Sequence, residues 1–135
     1  MIDEATRTAV RLRADDRCEF CLLPQAASLL TFHVDHIVAK QHLDQVVDEP
    51  QFLCLACNRC NAYKGTNLSS IDPLGGQIVP LFHPREDRWQ DHFLLRDGNI
   101  EGLTPIGRAT VRLLNMNALQ RVELREQWLG DADPF

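Results

Sequence analysis

Apolar and polar positions alternate along this chain in short blocks, and the first block repeats with a helical period. Ala5, Ala9, Val10 and Leu12 give residues 3–14 a loose apolar face, and Asp3 and Glu4 sit where a helix dipole favours negative charge. Arg7 and Arg11, four apart, share another side; a solvated face and a phosphate-contacting face both fit that pair. Leu29 to Val34 is apolar and β-branched, which predicts a strand, and residues 36–39 read as a short second extended piece. Lys40 to Gln51 turns polar and contains Pro50, so a loop is expected there. Leu53 to Ala56 is apolar again and leads to a short helix from Asn61 to about Lys64, ended by Gly65.

The second half reads in the same way. Residues 67–76 hold Ser, Asn, Asp-Pro and Gly-Gly and predict turns, followed by a strand over 77–82 and a break at His83-Pro84. Residues 85–90 predict a turn of helix. Residues 93–96 and 100–103 flank Asp97-Gly98-Asn99, a hairpin signal. Thr104 followed by Pro105 predicts a capped helix to about Met116, and Asn117 a cap for a last helix through Trp128, closed by Gly130. No repeat or linker divides the chain. The expectation is one α+β domain over 1–135, with a core at about 18–65 and a C-terminal extension over about 66–135.

Composition narrows the class. With 135 residues and 44% hydrophobic content, the chain can build an ordinary globular core of modest size, to which a metal staple would add stability. The net charge of −5 argues against a strong, sequence-blind nucleic-acid binder unless the basic residues gather on one face. The N-terminal segment is charged and lacks an apolar signal region, and no apolar run approaches a membrane span. A cytoplasmic, reducing compartment is therefore expected, with no membrane contact.

Five cysteines are present. Four form two Cys-x-x-Cys pairs, Cys18/Cys21 and Cys57/Cys60, the donor set and spacing of a tetrahedral structural zinc site. Cys54 is left over in an apolar run and reads as a buried small hydrophobe. Residues 22–56 separate the pairs, more than the roughly 15–20 of a compact zinc ribbon. That length is what a β-hairpin carrying His33, Asp35, His36 and His42 needs. Asp35, His36 and Asn61 are a different chemical set: oxygen donors for a hard cation and an imidazole for proton transfer.

The run from Cys18 to Gly65, with His33-Val34-Asp35-His36-Ile37 and Cys57-Asn58-Arg59-Cys60-Asn61-Ala62-Tyr63-Lys64-Gly65, resembles the HNH endonucleases with a ββα-metal fold. It is closest to the subgroup in which four cysteines clamp the ββα unit with zinc. Residues 67–73 and 81–89 also resemble tails of small stand-alone bacterial members. The resemblance implies a zinc-clamped ββα core with an N-terminal helix, a C-terminal β-hairpin and two C-terminal helices. It assigns His36 as general base, and Asp35 and Asn61 as ligands of a catalytic Mg²⁺ or Mn²⁺. Hydrolysis of phosphodiester bonds follows, with DNA favoured over RNA as partner. Lys64, Arg59 and His33 are the expected nucleic-acid contacts, with a plain helix-end charge and a partly buried strand residue as the alternatives for Lys64 and His33. His83 and Arg85 read as a second basic element or as packing at a strand end.

The pattern departs from the family at one place: Phe52 occupies the position of the central Asn, which normally orients the base. The Gly-Gly expected before it is also replaced, by Leu43-Asp44-Gln45-Val46. Gln51 and Asp48 are the candidate substitutes. A non-catalytic zinc module serving as a nucleic-acid or protein platform is the competing reading, and a partner subunit or homodimer fits either. Gathering of Arg7, Arg11, Arg59, Lys64, Arg85 and Arg88 around Asp35-His36 would favour the nuclease; dispersal would favour the platform.

Overall fold

A computed structural model describes residues 1–130 and 134–135; the remaining end of the expected C-terminal extension, 131–133, lies outside the described residues. The chain is an α+β protein. Helix α1 (Glu4–Arg13) begins where the Asp3 carboxylate accepts from the Thr6 amide at 2.8 Å, an N-cap. Its arginines serve the neighbouring strands. Arg11 donates to the Phe32 carbonyl at 3.1 Å, and Arg13 donates to the carbonyls of Pro50 and Leu53 at 2.7 and 2.6 Å.

Strands β1 (His33–His36) and β2 (Leu53–Ala56) pair antiparallel, His33 opposite Ala56 and His36 opposite Leu53. The strand expected from Leu29 thus starts later. The Gln25 side chain explains why: its amide donates to the Leu30 carbonyl and its oxygen accepts from the Phe32 amide, at 2.9 and 2.7 Å. Those backbone groups are satisfied before any ladder can form, and Leu29 and Leu30 stay exposed. The separate extended piece expected at 36–39 is also absent: His36 closes β1, the Ile37 amide adds one more bond to the Phe52 carbonyl, and Lys40–His42 is a 3₁₀ turn. Helix α2 (Asn58–Lys64) starts three residues before the expected Asn61, with Cys57 as its cap.

The C-terminal half is built from hairpins and helices. Strand β3 (Ser69–Ile71), in the stretch expected to be mostly turns, forms a hairpin with β4 (Ile78–Pro80), which falls within the strand expected over 77–82. Asp72 organises its turn, accepting from Leu74 at 3.0 Å and taking a bidentate Arg108 contact at 2.9 and 2.8 Å. After the short helix α3 (Trp89–His92), strands β5 (Phe93–Arg96) and β6 (Asn99–Gly102) meet across Asp97-Gly98. Both turn residues have positive φ, 50° and 80°, as a two-residue primed turn demands. Helix α4 (Pro105–Leu113) is capped by Thr104 as its sequence signals, and α5 (Leu119–Leu129) ends at Gly130. Asn117 does not cap α5. Its amide instead brackets Ile100, accepting from the Ile100 amide and donating to its carbonyl, both at 2.8 Å.

The halves join through aromatics. Phe82 packs edge-on against Phe20 and Phe93, and the Trp89 indole donates to the Phe20 carbonyl at 2.9 Å. Among the described residues, no helix is long and apolar enough to cross a membrane.

Candidate metal centre and histidine site

The four cysteines of the two Cys-x-x-Cys turns come together. Their Sγ atoms lie within 4.8 Å of one another and all four residues are buried. A zinc ion with Zn–S bonds of about 2.3 Å sets tetrahedral S···S edges of about 3.8 Å, and Cys21 and Cys57 stand 3.6 Å apart. Each turn also aims an amide at its first sulfur: Cys21 to Cys18 at 3.5 Å, and Cys60 to Cys57 at 3.4 Å. Donor type, number, spacing and burial fit a structural zinc. Burial pushes the Cys18 and Cys60 thiols up, while hydrogen bonds from Cys18, then Cys57 and Cys60, hold the Cys21 thiol well below its ordinary range, as in a cluster whose thiols share protons. Cys54 stands outside the cluster: burial pushes its thiol up to about 12, an inert core residue.

Sequence reasoning missed the partner of this cluster. Arg121, 4% exposed on α5, donates to Cys60 Sγ at 2.8 Å and reaches Cys57 Sγ at 3.8 Å. Its other nitrogen donates to the carbonyls of Leu114 and Asn115, closing the end of α4. Burial alone would lower this guanidinium's pKa, but the thiolates of Cys60, Cys21 and Cys57 outweigh it and the net shift is upward. Arg125, one turn on, is buried as well and donates to the Gly98 carbonyl at 2.8 Å. The available signal was two arginines four apart on a helix with a poor apolar stripe.

His36 ends β1 with its ring turned inward, and its Nε2 meets Asp48 Oδ1 at 2.8 Å. Asp48 comes from the long loop between β1 and β2 and is one of the two substitutes the sequence offered for the central Asn. The other, Gln51, bonds Glu49 at 2.8 Å. Partial burial pushes the Asp48 carboxyl up, but the His36 ring and the Met1 ammonium outweigh that and keep its pKa below the ordinary value. A cavity of about 300 Å³ opens beside His36, lined also by Gln51, Phe52, His83, Arg85 and Glu86.

Asp35 faces the opposite way. It is exposed, and its Oδ1 accepts from the His36 amide at 2.8 Å. His33 shares that face and contacts the Asn58 amide at 3.2 Å. Asn61 is half-buried on α2, one turn before Lys64. Among the described residues no hydrogen bond joins the side chains of Asp35, His36 and Asn61 to one another.

Several expected nucleic-acid contacts are used internally. Lys64 is buried and donates to the Ile37 carbonyl at 3.0 Å; desolvation lowers its pKa against the pull of Cys54 and Asp35. It clamps α2 onto the residue after β1 and does not offer its charge to solvent. Arg11 caps the approach to β1, and Arg85 pairs closely with Glu19. Burial lowers the Arg85 pKa to about 10, with Arg13 adding to the effect, and its Nε is buried without an acceptor. Arg59 and Arg88 are exposed, Arg7 is half-buried, and His42 holds the Thr66 carbonyl at 2.8 Å. Of the six basic residues weighed as a phosphate-binding face, Arg11 and Lys64 are thus spent on backbone carbonyls, while Arg85 pairs with Glu19 and still lines the His36 cavity.

The chain is similar to the Septu protein PtuB of Bacillus thuringiensis, with 24% identity over 117 residues. That alignment covers 87% of this chain and 43% of PtuB, so the chain spans less than half the length of this curated relative. No family model matches the chain, and no solved structure matches it.

Proposed function

We propose that this protein is a metal-dependent endonuclease of the HNH type that hydrolyses phosphodiester bonds in DNA, on a chain related to Septu proteins such as PtuB. One observation carries the reading: the inward His36 is held by Asp48 at 2.8 Å at the edge of a cavity, immediately after the exposed Asp35. Phe52 stands at the place of the central Asn, and the carboxylate that meets the His36 ring comes from the loop before it.

Asp48 fixes the proton of His36 on Nε2 and leaves Nδ1 as the basic nitrogen, which takes no hydrogen bond among the described residues. Nδ1 accepts the proton of the attacking water as the water oxygen bonds to phosphorus and the bond from phosphorus to the leaving oxygen breaks. Asp48 then faces the imidazolium and stabilises its charge, as a carboxylate does in other histidine dyads. The leaving oxygen takes its proton from solvent. Asp35, one of whose oxygens is engaged by the His36 amide, and the Asn61 amide oxygen are the hard donors that would hold a cation keeping several waters. Mg²⁺ or Mn²⁺, when bound, supplies Lewis-acid polarisation of the phosphate and of the leaving oxygen.

The test is cleavage of plasmid DNA, single-stranded DNA and RNA with Mg²⁺ or Mn²⁺, beside His36→Ala and Asp48→Asn. Cutting of DNA is expected to vanish in the first variant and to fall by about 10²–10⁴ in the second. No cutting by folded, zinc-loaded protein, or cutting that survives in His36→Ala, overturns the assignment.

A second reading has its own support. The inward turn of Arg11, Lys64 and Arg85, with Phe52 at the central position, fits a zinc-stabilised module that binds a partner without cutting. The same assay separates the two.

A further inference from the structure

We propose that His83 and Arg85 form the phosphate-binding wall of the His36 cavity. A substrate phosphodiester would then be gripped by the C-terminal extension, in place of Lys64. The proposal takes the anion to be part of a nucleic acid and in that respect rests on the nuclease reading.

His83 and Arg85 line the same cavity as His36, although 47 or more residues separate them along the chain. His83 is a prepared donor. Its Nδ1 accepts from the Arg85 and Glu86 amides, both at 3.1 Å, which forces the ring proton onto Nε2. The His83 amide donates to Asp87 at 2.9 Å, and the Asp87 amide returns a bond to the His83 carbonyl at 2.9 Å. Four backbone and side-chain bonds therefore hold one short turn, and the imidazole N–H it presents costs no ordering when a ligand arrives.

Arg85 adds charge beside it. Glu19, its partner, is itself anchored by accepting from the Leu55 amide at 2.7 Å, so the guanidinium is fixed against β2. Its Nε is buried and has no acceptor, so a ligand oxygen reaching it would satisfy a proton the fold leaves unpaired. Phe52, 46% exposed, lines the same cavity and offers a flat apolar surface on which a base or sugar can rest. The residue that stands at the place of the central Asn thus puts an aromatic ring into the same cavity as the two anion donors. Glu86 is exposed at the rim and is the one acidic group among the residues lining this cavity.

The probe is the dinucleotide d(TpT), titrated without Mg²⁺ or Mn²⁺ into the zinc-loaded full chain while the ¹⁵N imidazole signals of His36 and His83 are followed. Both sets are expected to shift together and saturably, with those of His42 and His92 as controls that stay still. His83→Asn retains an acceptor for the two amides and removes Nε2–H, so the fold stays intact while d(TpT) binding weakens about tenfold. Arg85→Lys keeps the charge against Glu19, removes Nε and should weaken binding similarly. A still His83 signal, or a dissociation constant unchanged in folded His83→Asn, overturns the proposal. If wild type nonetheless nicks DNA with Mg²⁺, only this subsite is wrong and the nuclease stands. If d(TpT) binds here and no metal supports cutting, the subsite stands and the nuclease reading falls.

Discussion

The part of the molecule up to Lys64 and the part beyond Ser69 are held by different forces. In the first, polar side chains pin backbone: Arg11, Arg13 and Lys64 donate to carbonyls of Phe32, Pro50, Leu53 and Ile37, and Gln25 brackets the entry to β1. Its two strands are joined by the long loop over 37–52, and four of its buried side chains are the clustered thiols. In the second, α4 lies on β6 so closely that Gly102 and Gly107 are required: a Cβ on Gly102 would come within 2.5 Å of the Arg108 amide, and one on Gly107 would drive into the His92 carbonyl. Phe93, Ile100, Ala109, Leu114 and Met116 fill the space around them. Both regions bury a comparable set of apolar side chains; the first adds a thiol cluster suited to a metal beneath its long loop, and the second adds close packing of helix on strand.

The largest effect should come from taking the metal away. A structural zinc in small zinc domains is worth about 10–16 kcal/mol, as much as the whole stability of an ordinary domain. Chelation, or Cys60→Ala, should unfold residues 18–64 first, seen as loss of their amide signals before those of β5, β6 and α4. Simultaneous, unchanged spectra of both regions after complete zinc removal would erase the contrast. Gly107→Ala attacks the other side: the forced separation of α4 from α3 should cost about 3 kcal/mol in denaturant unfolding. A cost near zero would mean that the close packing is not what holds that half.

Arg121→Gln sharpens the comparison because Arg121 belongs to both halves. Outer-shell partners of metal ligands change affinity by about 10–100-fold, so zinc release to a competing chelator should become easier by that factor. The smallest effect is at Asp72. Hydrogen bonds from Arg108 hold its carboxyl at about 2, below its ordinary 3.8. A depressed carboxylate contributes stability that is full above the unfolded value and is lost as pH falls from about 4 to about 2. Asp72→Asn should therefore lower stability at neutral pH and flatten the acid-unfolding curve in that window, measured by circular dichroism against pH.

Legibility in the sequence followed the range of the interactions. The primed turn at Asp97-Gly98, the Thr104 cap and the Gly65 and Gly130 stops are decided within four residues, and local signals located them. The thiol cluster spans farther but carries its spacing in two short motifs. What could not be read depended on side chains reaching distant backbone: Gln25 delaying β1, Asn117 leaving α5 for Ile100, and Lys64 turning inward to Ile37. The pairing of His36 with Asp48 was one of two alternatives, because a loop with two candidate acceptors does not show which one folds back. Arg121 gave only the weak signal of two arginines four apart on α5, since nothing in a helix sequence marks which arginine will find sulfur 61 residues away.

That separation also sets an order in time. A nascent chain grows at about 5–20 residues per second, so all four thiols leave the ribosome several seconds before Arg121 does. Until then the thiols stand together with no neighbouring cation from α5. The cluster is therefore complete in its donors before it is complete in its charge, and the guanidinium is the last part to reach it.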